Sequence, residues 1–454
     1  MRKTALSILT FLILFITPKQ TFAQEIRLEL LNDSETLETI TKIISPLCKI
    51  AKIPNKKINL YIIIDKRINA FVTQGNNLFI NTGLITAFND PNVLKGVVAH
   101  ELAHLSSGHA ILRTNKVEGI LQQSLLTTLL GLGAAVAGSP DLGTAIILGG
   151  HHAAERTYTK YSREQETVAD NLGAKYLHAT GNTISGFTKL LESFNSDEIY
   201  LGSRGISPYM LTHPLSKERL KLIREHFLQE KNNPSIHQSS QHEKESYARI
   251  VAKLRAFLDT KDYLNNTKED LTGFAKSYGD AIAFYKKSQF KKSFTILNSL
   301  IEQRPKDGYL YELKGQFLFE TGQTLPAIED YRMAVSLLGN RSSPKIDYAI
   351  VLITTSKLHK NVNKRKKILN EAIIILNKAL DIPYQRNPYL YRNLAIAYGS
   401  LGKMGYANLM LAEEAILLQR NENAKKFIEI ARNYAGKDAK LKLKIEDVSK
   451  SFDK

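Results

Sequence analysis

The pattern of apolar and polar positions divides the chain into an early part that contains short strands and a later part that is helical throughout. Three runs of apolar and β-branched residues, "NLYIII", "NAFV" and "NLFINTG", follow Lys57, and "QGNN" separates the last two. Such runs between turn residues predict three β-strands. From Pro91 the pattern predicts a helix that continues to about Arg113. Further helices are predicted at 25–50 (as a pair), 156–177, 181–194 and from about 216.

A repeat organises the helical part after Tyr247. Small residues recur at Ala281, Gly315 and Ala349, in two steps of 34 residues (315−281 and 349−315). This is the period of the tetratricopeptide repeat. Small residues at these positions let the two helices of a unit approach closely. A generic helical bundle is the alternative interpretation, and the two equal steps count against it.

The third and fourth units bear on the extent of the repeat region. The stretch "YRNLAIAYGSLGKMGYANLMLAEEA" again places aromatic and small residues in the repeat slots, and it predicts a fourth unit. In the third unit "HKNVNKRKK", from His359, is expected to form an insertion of about ten residues. The second helix of that unit is then expected to resume at Ala372.

Composition places the boundaries between domains. The segment 230–246, "EKNNPSIHQSSQHEKES", is polar and is predicted to be a linker. It separates a domain at 24–229, which contains the strands, from a repeat domain at 247–440. A basic tail is predicted at 441–454. With 454 residues the chain is too long for one ordinary core, which agrees with two domains.

The first 25 residues have the pattern of a secretory signal. Arg2 and Lys3 precede a short apolar run, and Ala23 offers a small residue at a cleavage site before Gln24. A retained membrane anchor is the alternative, but the run is shorter than the roughly 20 apolar residues of a membrane span. We therefore expect residues 1–23 to be removed and the mature chain to work outside the cytoplasm.

Charge and cysteine content narrow the classes of partner and of metal site. Lysine and arginine number 62 against 44 aspartate and glutamate residues, a formal net charge of +18. This balance favours an anionic membrane surface or acidic partners, and a solvated lysine-rich surface is the equally weighted alternative. The sequence has no nucleic-acid recognition motif, so nucleic acid is not expected as a partner. The single cysteine, Cys48, excludes an internal disulfide and a thiolate metal cluster.

The helix predicted from Pro91 contains the stretch "VVAHELAHLSSGH". His100 and His104 are four residues apart, so both imidazoles lie on one helical face, where they can bind one Zn²⁺. Glu101 lies beside them and can take a proton from a water activated by the metal. A core helix that happens to carry these residues is the alternative, but it would bury two imidazoles and a carboxylate at high cost. We therefore predict one zinc ion per chain, with Glu101 as catalytic base.

Zinc needs a third protein ligand and, for catalysis, an open fourth position. The residue six positions after His104 is Ala110, which excludes the longer motif with a third histidine. His109 is too close in sequence to ligate easily with the other two. Further on, "SREQETVAD" places Glu166 and Asp170 on one helical face. One carboxylate can bind the metal and the other can accept an N–H bond from a ligating histidine. Two solvated acids on a surface helix are the alternative.

These two motifs together resemble peptidase family M48, the group of the CAAX-prenyl proteases. The resemblance implies an α+β, zincin-like metallopeptidase domain with a small β-sheet, so we expect a mainly α chain in which an α-helical repeat solenoid follows this domain. It also implies that Glu166 is the third zinc ligand and that Asp170 holds a ligating histidine. The segment "NAFVTQGNNLFINTGLI" resembles the family's strand segment before the zinc helix. By analogy this edge strand, with Asn69, Ala70 and Phe71, receives the substrate backbone.

The tripeptide "THP", which contains His213, matches a segment of an exported subgroup of this family. The resemblance implies that His213 is either a fourth zinc ligand or a donor to the transition state. A loop histidine before a proline is the alternative, and Arg219 is a weaker candidate for a charge partner. The apolar section 120–138 is expected to form a lid over the site, with a membrane span as the alternative. His151 and His152, after this section, are expected to be loop residues.

Three functional hypotheses follow. The first, which the resemblance favours, is a periplasmic zinc endopeptidase that cleaves unfolded or misassembled outer-membrane proteins. In it the repeats recruit substrate or the outer-membrane assembly machinery, and the basic chain makes peripheral contact with the membrane. The second is a scaffold or chaperone whose metal site is mostly closed and rarely catalytic. The third is a membrane-embedded protease of the CAAX type.

Overall fold

A computed structural model of the chain describes residues 29–53, 58–73, 75–109, 163–195, 209, 213–230, 233–265, 271–339, 341–382 and 388–452. The predicted signal at 1–23, the apolar section at 120–138, His151 and His152 lie outside the described residues. The predicted fold class is confirmed: a mainly helical chain with one small sheet, followed by helical repeats. No helix within these ranges is both long enough and apolar enough to cross a membrane.

The three predicted strands form one sheet. They are β1 (Asn59–Ile63), β2 (Ala70–Thr73) and β3 (Asn77–Asn81). β3 lies in the middle, parallel to β1 and antiparallel to β2. The turn between β2 and β3 holds Gly75 at φ 81° and Asn76 at φ 59°, a left-handed conformation that glycine and asparagine adopt at low cost. β2 therefore forms an edge of the sheet in the described part of the chain.

Helices pack around this sheet and carry the candidate site. They are α1 (Ser34–Ile50), α2 (Thr82–Ala87), α3 (Pro91–Ser106), α4 (residues 163–179), α5 (Ser185–Asn195) and α6 (Lys217–Glu230). Two of them begin at an aspartate whose carboxylate accepts a backbone N–H bond of the first turn. Asp33 accepts from Thr36 before α1, and Asp90 accepts from Asn92 before α3. Such caps satisfy donors that a helix start leaves without partners.

Two predicted helix bounds are wrong. The region predicted as a helix pair contains one helix, α1, in its described part. The chain before α1 is extended there, because Leu31 donates its backbone N–H to Ile62 of β1 at 2.8 Å. α3 ends at Ser106 and not near residue 113. Gly108 then adopts φ 70°, a left-handed conformation that does not continue a right-handed helix.

The segment predicted as a linker is bonded to the first part of the chain. α7 (Gln241–Leu258) begins inside it. Ahead of α7, the His237 N–H donates to the Gly181 carbonyl at 2.8 Å, and the Ser239 hydroxyl donates to the Asn92 side chain at 2.8 Å. One continuous hydrophobic core runs from α1 through α7 to the first repeat helices. The repeat region thus packs on the first part without a free spacer among the described residues.

The remaining helices pack as consecutive hairpins after α8 (Thr260–Asn265). They are α9 (Gly273–Lys286), α10 (Phe290–Gln303), α11 (Gly308–Glu320), α12 (Thr324–Leu338), α13 (Ser342–Leu358), α14 (Val362–Leu380), α15 (Pro388–Ser400), α16 (Met404–Leu417), α17 (Asn421–Ala435) and α18 (Ala439–Phe452). A Cβ atom on Gly315 would lie 2.8 Å from the Tyr331 ring. The repeat position at residue 315 therefore needs a residue without a side chain, as the repeat pattern requires.

Two features of the repeat region differ from the sequence interpretation. The expected insertion after His359 is wrong, because α14 already begins at Val362, with the Asn361 side chain as its cap. The extra residues lengthen the helix. The basic residues at 441–454 lie largely in α18, whose Leu441 and Ile445 are each 2% exposed. Most of this segment is thus a packed helix that completes a fifth hairpin.

Candidate metal centre

Four buried side chains converge between α3, α4 and the segment that precedes α6. They are His100 and His104 of α3, Glu166 of α4, and His213. One candidate ligand atom from each lies within 4.8 Å of all the others. All four residues are at most 5% exposed. The structure therefore brings together the three residues predicted as metal ligands and the histidine predicted to lie near them.

The spacing in α3 places the two histidine rings side by side. His100 Nε2 lies 3.1 Å from His104 Nε2. Behind these rings, α3 packs closely on α5, because a Cβ atom on Gly96 would lie 2.5 Å from Phe187 Cβ. The Phe187 ring also lies 5.3 Å from the His100 ring, centroid to centroid. This dense packing holds α3 and its histidines in place.

A close approach between α3 and α4 brings Glu166 to the histidines. A Cβ atom on Gly173 of α4 would lie 3.2 Å from the His100 backbone nitrogen. Glu166, two helical turns earlier, has Oε2 at 3.2 Å from His100 Nε2 and Oε1 at 3.3 Å from His104 Nε2. The carboxylate thus contacts both of the imidazoles that the sequence assigned to the metal.

Asp170 and Arg219 support this cluster from behind. Asp170 Oδ1 lies 3.0 Å from His100 Nδ1, the ring nitrogen that does not face the cluster. Arg219 donates Nε and Nη2 to the two oxygens of Asp170 at 2.7 and 2.8 Å, and its Nη1 lies 3.2 Å from Glu166 Oε2. Arg219 is only 2% exposed. The sequence ranked it as a weak candidate, yet it contacts both carboxylates.

His213 faces the cluster with one nitrogen and Glu101 with the other. Its Nδ1 lies 3.2 Å from His100 Nε2 and 3.0 Å from Glu166 Oε2. Its Nε2 lies 3.3 Å from Glu101 Oε1. The ring stacks on Tyr209, with centroids 4.6 Å apart. Glu101 is 1% exposed, so the residue predicted as base shares the buried site with the predicted ligands.

The charges in the site keep its carboxylates ionised and act in opposite directions on the two histidines of α3. Burial raises the pKa of Glu166, but the charge of His213 and bonds from the other histidines outweigh this and hold the pKa well below its usual range. Burial likewise raises the pKa of Asp170, and the Arg219 bonds more than reverse it. Burial lowers the pKa of His104 to about 3. Burial also lowers the pKa of His100, but bonds from Asp170 and Glu166 outweigh this and raise it to about 9. Neutral imidazoles ligate metals, so a metal ion has to displace the His100 proton.

The donor set fits a divalent metal ion. A tetrahedral ion with bonds of about 2.0–2.2 Å to nitrogen and oxygen keeps its ligand atoms roughly 3.3–3.6 Å apart. The contacts among the four side chains, 3.0–3.3 Å, are close to this spacing. Imidazole nitrogens with one carboxylate, without thiolates, are a donor set that zinc uses in hydrolytic sites. Burial also suits a metal, because uncompensated polar groups of this kind are costly in an apolar interior.

The predicted substrate strand lies at the edge of the sheet. Ala70 and Phe71 belong to β2, which pairs with β3 on one side only in the described part of the chain. Asn69 precedes the strand, and its carbonyl accepts the Asn81 N–H at 3.0 Å. β2 also packs against α3, the helix that carries the histidines. An edge strand beside the metal helix can add a substrate strand by backbone hydrogen bonds.

Sequence reasoning missed two contacts at the centre and one buried residue elsewhere in α3. His109, which the sequence analysis excluded as a ligand, has Nδ1 at 3.0 Å from His104 Nδ1. It thus contacts the Nδ1 atom of His104 as Asp170 contacts the Nδ1 atom of His100. Tyr209 stacks on His213. Lys95 of α3 is 4% exposed and donates to Asn182, Ser239 and Glu243 at 2.7–3.0 Å. The one signal for Lys95 was a lone lysine inside an apolar helical run, and a lysine in such a position needs a buried partner.

Comparisons with known proteins agree with this geometry. Residues 34–226 match peptidase family M48. The chain is 23% identical over 290 residues to the beta-barrel assembly-enhancing protease of Yersinia pestis, an alignment that covers 63% of this chain and 58% of that protein. It is 24% identical over 293 residues to the beta-barrel assembly-enhancing protease of Escherichia coli K12, with the same two shares.

A third relative is shorter. Metalloprotease YcaL of Escherichia coli K12 is 28% identical over 185 residues, which are 39% of this chain and 68% of that protein.

The chain spans just over half the length of the two beta-barrel assembly-enhancing proteases. The family match covers the sheet, α3, α4 and His213, and therefore every residue of the candidate centre. Residues 34–226 of this chain thus match peptidase family M48, and a helical repeat region follows them.

Proposed function

We propose that the chain is a periplasmic zinc metalloendopeptidase, with a catalytic unit at 24–229 and a repeat unit at 247–440. The observation that carries the proposal is the buried convergence of His100, His104 and Glu166 next to Glu101. The family match of residues 34–226 and the names of the relatives support it. His100, His104 and Glu166 would hold the zinc ion.

Each group around the ion has a proposed part in peptide hydrolysis. Zinc, when bound, polarises the scissile carbonyl and makes water more acidic. Glu101 accepts the proton of the attacking water and later delivers it to the leaving amine nitrogen. Asp170 fixes the His100 ring through Nδ1, and Arg219 holds Asp170. The edge of β2 orients the substrate backbone as an added strand.

We also propose the protein's substrates and location. Unfolded or misassembled outer-membrane proteins are the substrates, and the repeats recruit them or the outer-membrane assembly machinery. The names of two relatives support this assignment. The formal net charge of +18 supports a peripheral contact with an anionic membrane surface.

A scaffold or chaperone that rarely cleaves is the second candidate, and one contact favours it. His213 Nδ1 lies at the position of a fourth ligand, 3.2 Å from His100 Nε2 and 3.0 Å from Glu166. In that place it would keep water off the metal. If His213 turns away in the presence of substrate, the same ring can donate to the developing oxyanion instead.

Metal content and degradation of casein by the purified chain from residue 24 onward test the proposal. Glu101→Gln should reduce the cleavage rate by about 10²–10⁴-fold, because it removes the base, and should leave the zinc content unchanged. Glu166→Ala should lose both zinc and activity. Glu164→Ala, at an exposed position of the same helix, is the matched control and should keep both. Full cleavage by the Glu101→Gln variant would exclude the peptidase assignment.

A further inference from the structure

A cavity lined by residues other than those of the metal centre lies where the start of α1 and α7 face the repeat helices. It has a volume of about 510 Å³. Its walls come from α1 and α7 on one side and from α11, α12, α13 and α15 on the other. The repeats and the first part of the chain thus both contribute to its walls.

The cavity is acidic although the chain is basic. Asp33, Glu312, Glu320 and Asp347 line it, and Lys253 is the one lysine or arginine among its lining residues in the described part of the chain. The whole chain, in contrast, has 62 lysine and arginine residues against 44 acidic ones. A local excess of carboxylates in a basic protein attracts cations.

The charge of Lys253 is already engaged by other carboxylates. Its Nζ lies 2.5 Å from Asp33 Oδ1 and 3.0 Å from Glu35 Oε2. Glu312 and Asp347 form no ion pair or hydrogen bond with another described residue. Both are half-buried and line the cavity. Two carboxyl groups therefore face this space without a cation of their own.

Tyr331 is an independent sign of a ligand. It lines the cavity and is 4% exposed. Its ring packs on Gly315, where a Cβ atom would lie 2.8 Å from the ring. Within the described residues, its hydroxyl has no hydrogen-bond partner. The hydroxyl is accessible from the cavity, where a ligand can supply a hydrogen-bond partner.

The remaining walls suit an aliphatic chain. Phe257 of α7, Phe319 of α11 and Ile350 of α13 line the same space. Lysine and arginine side chains bury their methylene stems on apolar surface and present the charge at the end. The cavity offers apolar walls and acidic groups side by side, which matches such a side chain.

We propose that this cavity binds a lysine or arginine side chain of a partner polypeptide, with its cationic group beside Glu312 and Asp347. The Tyr331 hydroxyl hydrogen-bonds to the same segment, and the methylene stem packs on the apolar walls. Burial raises the pKa of Glu312 to about 8 and that of Asp347 to about 6. Ionising either carboxyl group therefore costs free energy, and a bound cation reduces that cost. The site deepens the recruitment role proposed for the repeats and rests on it. Binding here does not require cleavage, so its failure is distinguishable from a failure of the metal centre.

Titration of a labelled peptide into the full chain tests the site. The probe is the acetylated and amidated peptide GSLKGLKGS, and its partner probe has both lysines replaced by glutamine. All proteins carry Glu101→Gln, so that the probe stays intact during the titration. Fluorescence anisotropy should show about ten-fold tighter binding of the lysine probe, the size expected for a charge-assisted contact.

Two cavity variants and one control locate the binding. Glu312→Gln together with Asp347→Asn should weaken binding of the lysine probe about ten-fold. Tyr331→Phe, which keeps the ring on Gly315, should weaken it roughly three-fold. Glu302→Gln together with Asp447→Asn removes the same charge from exposed repeat positions and should leave the affinity unchanged.

Three results would overturn the proposal. The first is equal affinity of the lysine and glutamine probes. The second is unchanged binding by both cavity variants, with their folding verified by circular dichroism. The third is binding of spermidine, measured by calorimetry, in a chain that does not bind the lysine probe. That result would assign the cavity to a small polyamine and not to a polypeptide.

Discussion

The metal centre and the repeat cavity both bury carboxyl groups, but they favour opposite charge states. In the metal centre burial raises the pKa of Asp170, yet the bonds from Arg219 lower it below its usual value. In the cavity burial raises the pKa of Glu312 to about 8, and the charge of Lys253 only partly opposes this. Burial thus disfavours the ionised carboxylate in both regions. Whether the group still ionises depends on how closely a cation, Arg219 or Lys253, contacts it.

The geometry of the two cations explains the difference. Arg219 donates two bonds to one carboxylate, at 2.7 and 2.8 Å. Lys253 directs its ammonium group to Asp33 and Glu35 and leaves Glu312 without a direct contact. A planar guanidinium fixes a carboxylate through paired bonds, whereas an ammonium group acts as a point charge. The metal centre is therefore organised in advance, and the cavity still has charge to neutralise.

Among the substitutions considered, loss of the Arg219 charge should have the largest effect on the stability of the fold. Arg219→Met leaves Asp170 and Glu166 buried without their shared cation, and breaking a buried pair in this way typically costs about 3–5 kcal/mol of the unfolding free energy. Urea unfolding of the zinc-loaded chain measures it. Arg224→Met is the control on the same helix, since Arg224 is exposed and pairs with Glu192. A loss below about 1 kcal/mol for Arg219→Met would show that the carboxylates do not need this cation.

Loss of the Asp170 charge should act on the metal more than on the fold. Asp170→Asn keeps the shape of the side chain but weakens the contact with His100 Nδ1. Partners of metal-bound histidines typically contribute 10–100-fold to metal affinity. Zinc competition with a chromogenic chelator should show a decrease of that size. The control Glu164→Gln, on the exposed face of α4, should bind zinc like the unchanged chain. Equal zinc affinity of Asp170→Asn and the control would contradict the positioning role of Asp170.

Parts of the centre that lie within one helix follow from the sequence, and parts that meet across the fold do not. His100 and His104 were predicted from their spacing alone. The choice of Glu166 depended on the family resemblance, because its contact with them requires the close approach of α4 at Gly173. Arg219 is 49 residues from Asp170 in sequence, and no local pattern reports a bond over that distance.

The errors in the fold have a similar cause. Apolar periodicity detected the strands and most helices, since each buries one face. It missed the start of α14, where residues 361–367 are all exposed and show no apolar stripe. The segment 230–246 was interpreted as a linker because it is polar. Its polar side chains include Ser239, which bonds to Asn92, so polarity there reflects hydrogen bonding to the first part of the chain.

The smallest effect in the comparison is expected at the cavity, and its pH dependence makes it measurable. The pKa of Glu312 is raised from 4.5 to about 8 in the folded chain. Below pH 4.5 the group is protonated in the folded and unfolded states, so it costs nothing. As the pH rises toward 8 the unfolded chain releases the proton and the folded chain retains it, so the group progressively destabilises the fold.

Glu312→Gln removes this titration while keeping the size of the side chain. The variant should match the unchanged chain in urea unfolding at pH 4.5 and exceed it by about 1 kcal/mol at pH 8.5, a value reduced from the full shift because the carboxyl group is half-buried. The exposed control Glu302→Gln should show no such trend. Bound lysine probe should shrink the gap at pH 8.5, because a cation beside Glu312 stabilises the ionised form. A gap that is the same at both pH values would mean that Glu312 is solvated like a surface carboxylate. The carboxyl groups of the metal centre and of the cavity would then differ only in how much water reaches them.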